Sequence, residues 1–147
     1  MRRFPTPVAV VTGIDGEEEF GLTVGSLVSL SLAPPLVGIS VGKDSARHEP
    51  IRNACAFAVS ILSEEQTSIA QHFARSGVPP VALWVGVATR PGQNGPLIEE
   101  ALGWLECRTW AEYDAGDHTL FLGEVLSTEL GRPGRGLVYR DSTYHPA

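Results

Sequence analysis

At 147 residues the chain has the size of one domain able to bury its own core. Its 43% hydrophobic and 19% charged residues are ordinary globular proportions and exclude a disordered chain. Seventeen acidic against eleven basic residues give a formal net charge of −6, which excludes the broad basic surface that nucleic acids and anionic membranes require.

The first residues, MRRFPTPVAVVTG, carry an apolar run too short for a signal peptide and broken by Pro5 and Pro7. No stretch approaches the roughly 20 apolar residues of a membrane span. The expected location is the cytoplasm. Val8–Gly13 predicts a strand, ended by a turn-rich segment in which Asp15-Gly16 is a hairpin signal. Residues 20–40, FGLTVGSLVSLSLAPPLVGIS, read as two strands joined by a bend at Pro34-Pro35, with Val28, Leu30 and Leu32 on one face. The first of these strands is expected to begin at Thr23, Gly25 and Ser26. Small or hydroxylated residues there mean either a plain turn or the close approach of something flat or anionic to the backbone.

Pro50 predicts the start of a short helix and Ala56–Leu62 a further strand. Ser63-Glu64-Glu65-Gln66 is a capping box, opening a helix to Phe73 with Ile69 and Phe73 on one face. Residues 77–96 hold four prolines and four glycines, the composition of an irregular excursion, either a lid or a long crossing loop. In LGWLECRTWAEY, Leu105, Cys107, Thr109, Ala111 and Tyr113 share a face, and HTLFLGEVLSTEL returns across DAGD as an antiparallel partner. Many strands, short turns and two small helices predict a closed antiparallel barrel in a single domain over residues 1–147.

Several chemistries find no support. There is no Gly-x-Ser-x-Gly elbow, no His-x-x-x-His pair, no Cys-x-x-Cys and no dinucleotide-binding glycine fingerprint. Gly131–Gly136 (GRPGRG) reads as a surface turn. Cys55 and Cys107 lie in apolar, strand-like runs and read as reduced core residues. What is left is polar residues at strand ends. Lys43, Ser45 and Arg47 could give charge-assisted donors to a phosphate, or form a solvated loop. His118 is either a histidine satisfied at the barrel mouth or one that meets a ligand entering there.

Taken in order, RFPTPVAVVTG, GLTVGSLVSLSLAPPLVGISVGKDSARHEPI, FAVSIL, HFA and GDHTLFLGEV resemble the flavin reductase-like family of FMN-binding split barrels. The resemblance covers Phe4 to Tyr144. It implies a six-stranded antiparallel Greek-key split barrel with a few short helices, assembled as a homodimer. It also implies transfer of hydride from NADH or NADPH to FMN, with FAD as a possible alternative, and release of reduced flavin to a separate monooxygenase. A non-catalytic flavin carrier or electron-transfer partner is the alternative on the same fold. By motif, Thr23, Val24, Gly25 and Ser26 match the segment that contacts the isoalloxazine ring, and Ser40, Val41 and Gly42 a second wall. Lys43, Ser45 and Arg47 match the phosphate side, His72, Phe73 and Ala74 a contact from a helix end, and His118 the histidine near the nicotinamide. The family pattern has asparagine or aspartate where Gly42 stands, and threonine or serine where Arg47 stands.

Overall fold

A computed structural model describes every residue from Met1 to Ala147. Strand β1 (Thr6–Pro7) leads into β2 (Ala9–Asp15), and β3 (Glu18–Val24) returns beside it through a turn in which Gly16 has a φ of +65°. Strands β4 (Val28–Leu32) and β5 (Pro35–Gly42) make a second antiparallel pair. Helix α1 (His48–Ala54) precedes β6 (Ala56–Ile61), and a 3₁₀ turn (Glu64–Gln66) runs into α2 (Thr67–Ala74). Next come α3 (Pro80–Leu83), β7 (Thr89–Arg90) and β8 (Leu97–Ile98). The long hairpin β9 (Gly103–Ala115) and β10 (His118–Leu130) and the short pair β11 (Leu137–Arg140) and β12 (Thr143–Pro146) complete the chain.

The main ladder runs β3-β2-β6-β9-β10-β5-β4, antiparallel throughout. Strands β3 and β4 are consecutive in the chain yet stand at opposite ends of this order. The three residues between them, Gly25 to Leu27, therefore carry the chain from one edge of the sheet to the other and bend it into a barrel. Counting β3 and β4 as one broken strand gives the six positions expected. The strand expected to begin at Thr23 is thus corrected: Thr23 and Val24 end β3, and the break follows them.

Residues 8–11 form a continuous apolar run because β2 is buried on both faces. Ala9 and Val11 point into the barrel with Phe20, Ile39, Phe57, Val59, Cys107 and Phe121, while Ile51 of α1 plugs one end. Val8 and Val10 point outward, against Ala70 and Phe73 of α2, Leu83, Ile98 and Leu137. Each fully buried side chain of this size contributes about 1.5–3 kcal/mol. The capping box forms as expected, with the Ser63 N–H donating to Gln66 Oε1 at 3.0 Å. The helix placed at Pro50 begins two residues earlier, at His48, with Pro50 still inside the first turn.

Strict alternation fails at three places, all of them bulges. Leu30, Trp110 and Leu126 are each left without a partner opposite, so the faces assigned to β4 and to the outer half of β9 do not persist. Val28, Leu30 and Leu32 all stay exposed on the edge strand β4. Residues 77–96 form a crossing segment fastened to the barrel. The Thr12 hydroxyl donates to the Pro96 carbonyl at 2.6 Å, and the buried Glu106 carboxylate accepts from the N–H groups of Gln93 and Asn94 at 2.9 and 3.1 Å.

The two cysteines part company. Cys107 is fully buried, and burial, helped by the Glu106 charge, pushes its thiol up to about 12. Cys55 ends α1 in the left-handed region at φ 54° and is exposed, which corrects its assignment to the core. A thiol reagent at neutral pH should label one cysteine of the native protein quickly. The second should react only at the rate of unfolding, and peptide mapping should place the fast label on Cys55.

Candidate functional site

A cleft of about 650 Å³ opens where the barrel is split, between the end of β3 and the end of β5. That volume falls within the range of roughly 300–1,000 Å³ typical of small-molecule sites. Strands β3 and β5 do not pair here; a hydroxyl spans the gap. Ser26 Oγ donates to the Ser40 carbonyl (3.2 Å) and accepts from the Ser40 N–H (2.9 Å), so both groups of Ser40 close on one side chain. Thr23 spends its hydroxyl proton on the Ala70 carbonyl of α2 at 2.7 Å. These hydroxyls hold the cleft's frame. Gly25 and Ser26 also line the cleft, and no hydrogen bond within the chain uses the N–H of either.

Glycine at position 25 has a cause outside the cleft. A Cβ there would lie 2.9 Å from Thr6 Oγ1, so the close approach that demands glycine is that of the N-terminal strand. At Gly42 the space a side chain would take is filled from within the chain. Asp44 Oδ1 sits 2.9 Å from the position of a Cβ, and His118 Nε2 lies 3.8 Å from the same point.

His118 is opposite Gly42 in the β5–β10 register, which puts it on the rim. Its Nδ1 meets Asp117 Oδ1 at 2.7 Å, leaving Nε2 toward the cleft. The hydrogen bond and charge of His118 hold the Asp117 carboxyl below the usual carboxylate range. Acid that protonates the lowered carboxyl removes its side of the contact. The turn is further pinned by the Lys43 N–H, which donates to the Asp117 carbonyl at 2.9 Å.

Of the fourteen residues singled out in the sequence, twelve line this one cleft: Thr23, Val24, Gly25 and Ser26; Ser40, Val41 and Gly42; Ser45 and Arg47; Phe73, Ala74 and His118. Two do not. The Lys43 ammonium turns away to pair with Asp114 on the β9–β10 hairpin. His72 Nε2 donates to the Leu83 carbonyl at 2.6 Å and stacks edge-on against Phe73, tying α2 to α3. Arg47 lies in the wall, with Nε donating to the Gly21 carbonyl (3.4 Å) and an Nη to the Val78 carbonyl (3.3 Å). A guanidinium has five N–H donors, so three stay available.

The cleft also takes residues that sequence reasoning passed over: Leu22, Asp44, Ala46 and the run from Arg75 to Val78. Asp44 and Ala46 alternate with residues already marked, and contiguity alone would have included them. Arg75 to Val78 give no such signal.

The flavin reductase like domain model matches residues 1–147. The chain belongs to the flavin reductase-like family. It is 41% identical over 142 residues to an NADH-dependent FAD reductase of Streptomyces globisporus, covering 92% of this chain and 76% of that protein. It is 39% identical over 144 residues to the reductase component of a 4-hydroxyphenylacetate 3-monooxygenase from Thermus thermophilus, covering 98% and 90%. Among solved structures it superposes with a TM-score of 0.92, at 34% identity, on BorF, the flavin reductase component of a bacterial two-component tryptophan halogenase, covering 99% and 92%. The split barrel inferred from the order of motifs is therefore the family's fold.

The Ser26 bridge is open to a direct test. Ser26→Ala should lower unfolding stability by about 1 kcal/mol, since two half-buried hydrogen bonds are lost and water replaces part of them. Urea denaturation would show the change, with an unaltered m-value marking it as local.

Proposed function

We propose that this protein is an NAD(P)H:flavin oxidoreductase that takes FMN or FAD into the split of the barrel and hands reduced flavin to a separate monooxygenase. The observation that carries the reading is the convergence of unengaged backbone N–H groups, a guanidinium and a histidine on one cleft in which no lining hydroxyl is hydrogen-bonded to a histidine. Hydride transfer needs orientation and the exclusion of water rather than a nucleophile. Bound flavin would supply the two-electron acceptor. Relatives named as NADH-dependent support NADH as the donor.

The residues present fit such a group. The Gly25 and Ser26 N–H groups form a fixed donor pair for an oxygen that gains negative charge, without reorganising during the reaction. The Ser45 hydroxyl accepts from the Arg47 N–H at 3.2 Å and keeps its own proton to donate, next to the spare donors of Arg47. Together they suit a phosphate. Phe73 and Ala74 give the cleft an apolar floor. His118, fixed through Nδ1, offers Nε2 at the rim, where a second ligand has to enter.

The homodimer implied by the family resemblance belongs to the same proposal. Strand β4 is an open edge with Val28, Leu30 and Leu32 exposed, and Leu126 and Leu130 of β10 are exposed as well. A long apolar edge left in water invites pairing, and a second copy would cover it.

Rapid anaerobic mixing of the protein and excess FMN with NADH or NADPH decides the main reading. Bleaching of the visible flavin band over many equivalents is expected, and flavin that stays oxidised with both donors would overturn it. His118→Ala should raise the KM for NADH or slow hydride transfer while leaving flavin affinity near its starting value. Unaltered nicotinamide kinetics would make His118 structural. Arg47→Ala should weaken FMN roughly 10- to 150-fold more than riboflavin, as one lost charge-assisted contact of about 1.5–3 kcal/mol requires. Lys43→Ala should not discriminate between the two.

A further inference from the structure

The flavin cleft does not end at its own wall. Ala74 and Arg75 are shared with a second cavity of about 350 Å³ that runs along α2 toward the β11–β12 hairpin. Tyr139 and Tyr144 form one side of it, their ring centroids 5.0 Å apart and their planes tilted by 57°. Gln71 and Thr143 add an amide and a hydroxyl. In a chain with net charge −6, no carboxylate lines this second cavity, and its one charged group is Arg75.

Arg75 is itself unusual among the cleft's cations. Arg47 is bonded to two carbonyls, whereas no ion pair or hydrogen bond of the chain engages the Arg75 guanidinium. It stands where the two cavities meet. A free guanidinium at that junction suits a bridging phosphate or diphosphate, and an aromatic ring with nearby amide and hydroxyl groups suits a purine. Burial, then the neighbouring Tyr139, push the Tyr144 phenol up, so its hydroxyl remains a donor at neutral pH.

We propose that this second cavity binds the adenosine half of a dinucleotide, with Arg75 holding the phosphates between the two cavities and Tyr139 and Tyr144 taking the adenine. The proposal rests on the flavin reductase reading and deepens it. Both FAD and NADH carry the same adenosine diphosphate portion, and the cavity distinguishes ligands that possess it from FMN and reduced nicotinamide mononucleotide, which lack it.

The test measures two ratios in the full-length protein, its Arg75→Gln variant and its Tyr139→Ala variant. One is the affinity for FAD relative to FMN, from flavin fluorescence. The other is the KM for NADH relative to that for reduced nicotinamide mononucleotide, at saturating FMN. Each variant should shift one of these ratios by about tenfold against the adenylate-bearing ligand, the size expected from one stacked base or one charge-assisted contact. A shift in the flavin ratio assigns the cavity to FAD, and a shift in the nicotinamide ratio assigns it to NADH. Unmoved ratios in both variants, or equal losses for all four ligands, would overturn the proposal. Absence of turnover in the unsubstituted protein would instead sink the reductase reading, and the FAD-to-FMN ratio would still decide the cavity's role in flavin binding.

Discussion

Everything about the site depends on one gap in a hydrogen-bonded sheet. Around most of the barrel, neighbouring strands satisfy each other's backbone groups, which leaves nothing for a ligand to bind. Between the ends of β3 and β5 that pairing stops, and the Ser26 hydroxyl bridges to Ser40 in its place. A single side chain can span the gap without filling it. The N–H groups beside it are then unpaired but accessible, the condition under which an oxyanion or a ring carbonyl gains most from binding. The histidine rim, the guanidinium wall and the floor from α2 are arranged around that opening.

The frame around the gap is stiff because each element at its edge is fastened from behind. Thr23 is tied to α2, α2 to α3 through His72, and the end of β5 to the β9–β10 turn through Lys43. His48, buried beneath the rim, meets Thr119 Oγ1 at 2.7 Å and so holds the residue next to His118. Two residues with the right chemistry for ligand contact, Lys43 and His72, thus act one layer back. They place the groups that face the cleft.

Most of the fold was legible because period-two patterning maps directly onto a barrel with a dry interior. The run at residues 8–11 and the Asp15-Gly16 turn located the first strands, and the glutamine of the capping box located α2. What the pattern could not carry was contact between distant segments. Gly25 is glycine because of Thr6, and nothing near position 25 announces that neighbour. Cys55 looked like a core residue because apolar residues flank it, yet it caps a helix in a left-handed turn. The bulges at Leu30 and Leu126 reset the alternation without any glycine or proline beside them, and the one at Trp110 is marked only by Gly123 on the opposite strand. At the site, twelve of the fourteen residues picked out by the order of short motifs line the cleft. Arg75 escaped notice because a cation after a helix is unremarkable until its lack of a partner is seen in three dimensions.

The crossing from β3 to β4 has a consequence for how this chain can vary. Gly25 to Leu27 is the direct covalent span between the sheet's two edge strands, and it closes the barrel. An added residue there would displace Ser26 from Ser40 and loosen the bridge across the split. The Gly16-Glu17 tip of the β2–β3 hairpin is exposed to solvent, with nothing within 4 Å of a Cβ at Gly16, and carries no such constraint on length. Insertions would therefore accumulate at that tip, while the spacing from Thr23 to Val28 stays fixed.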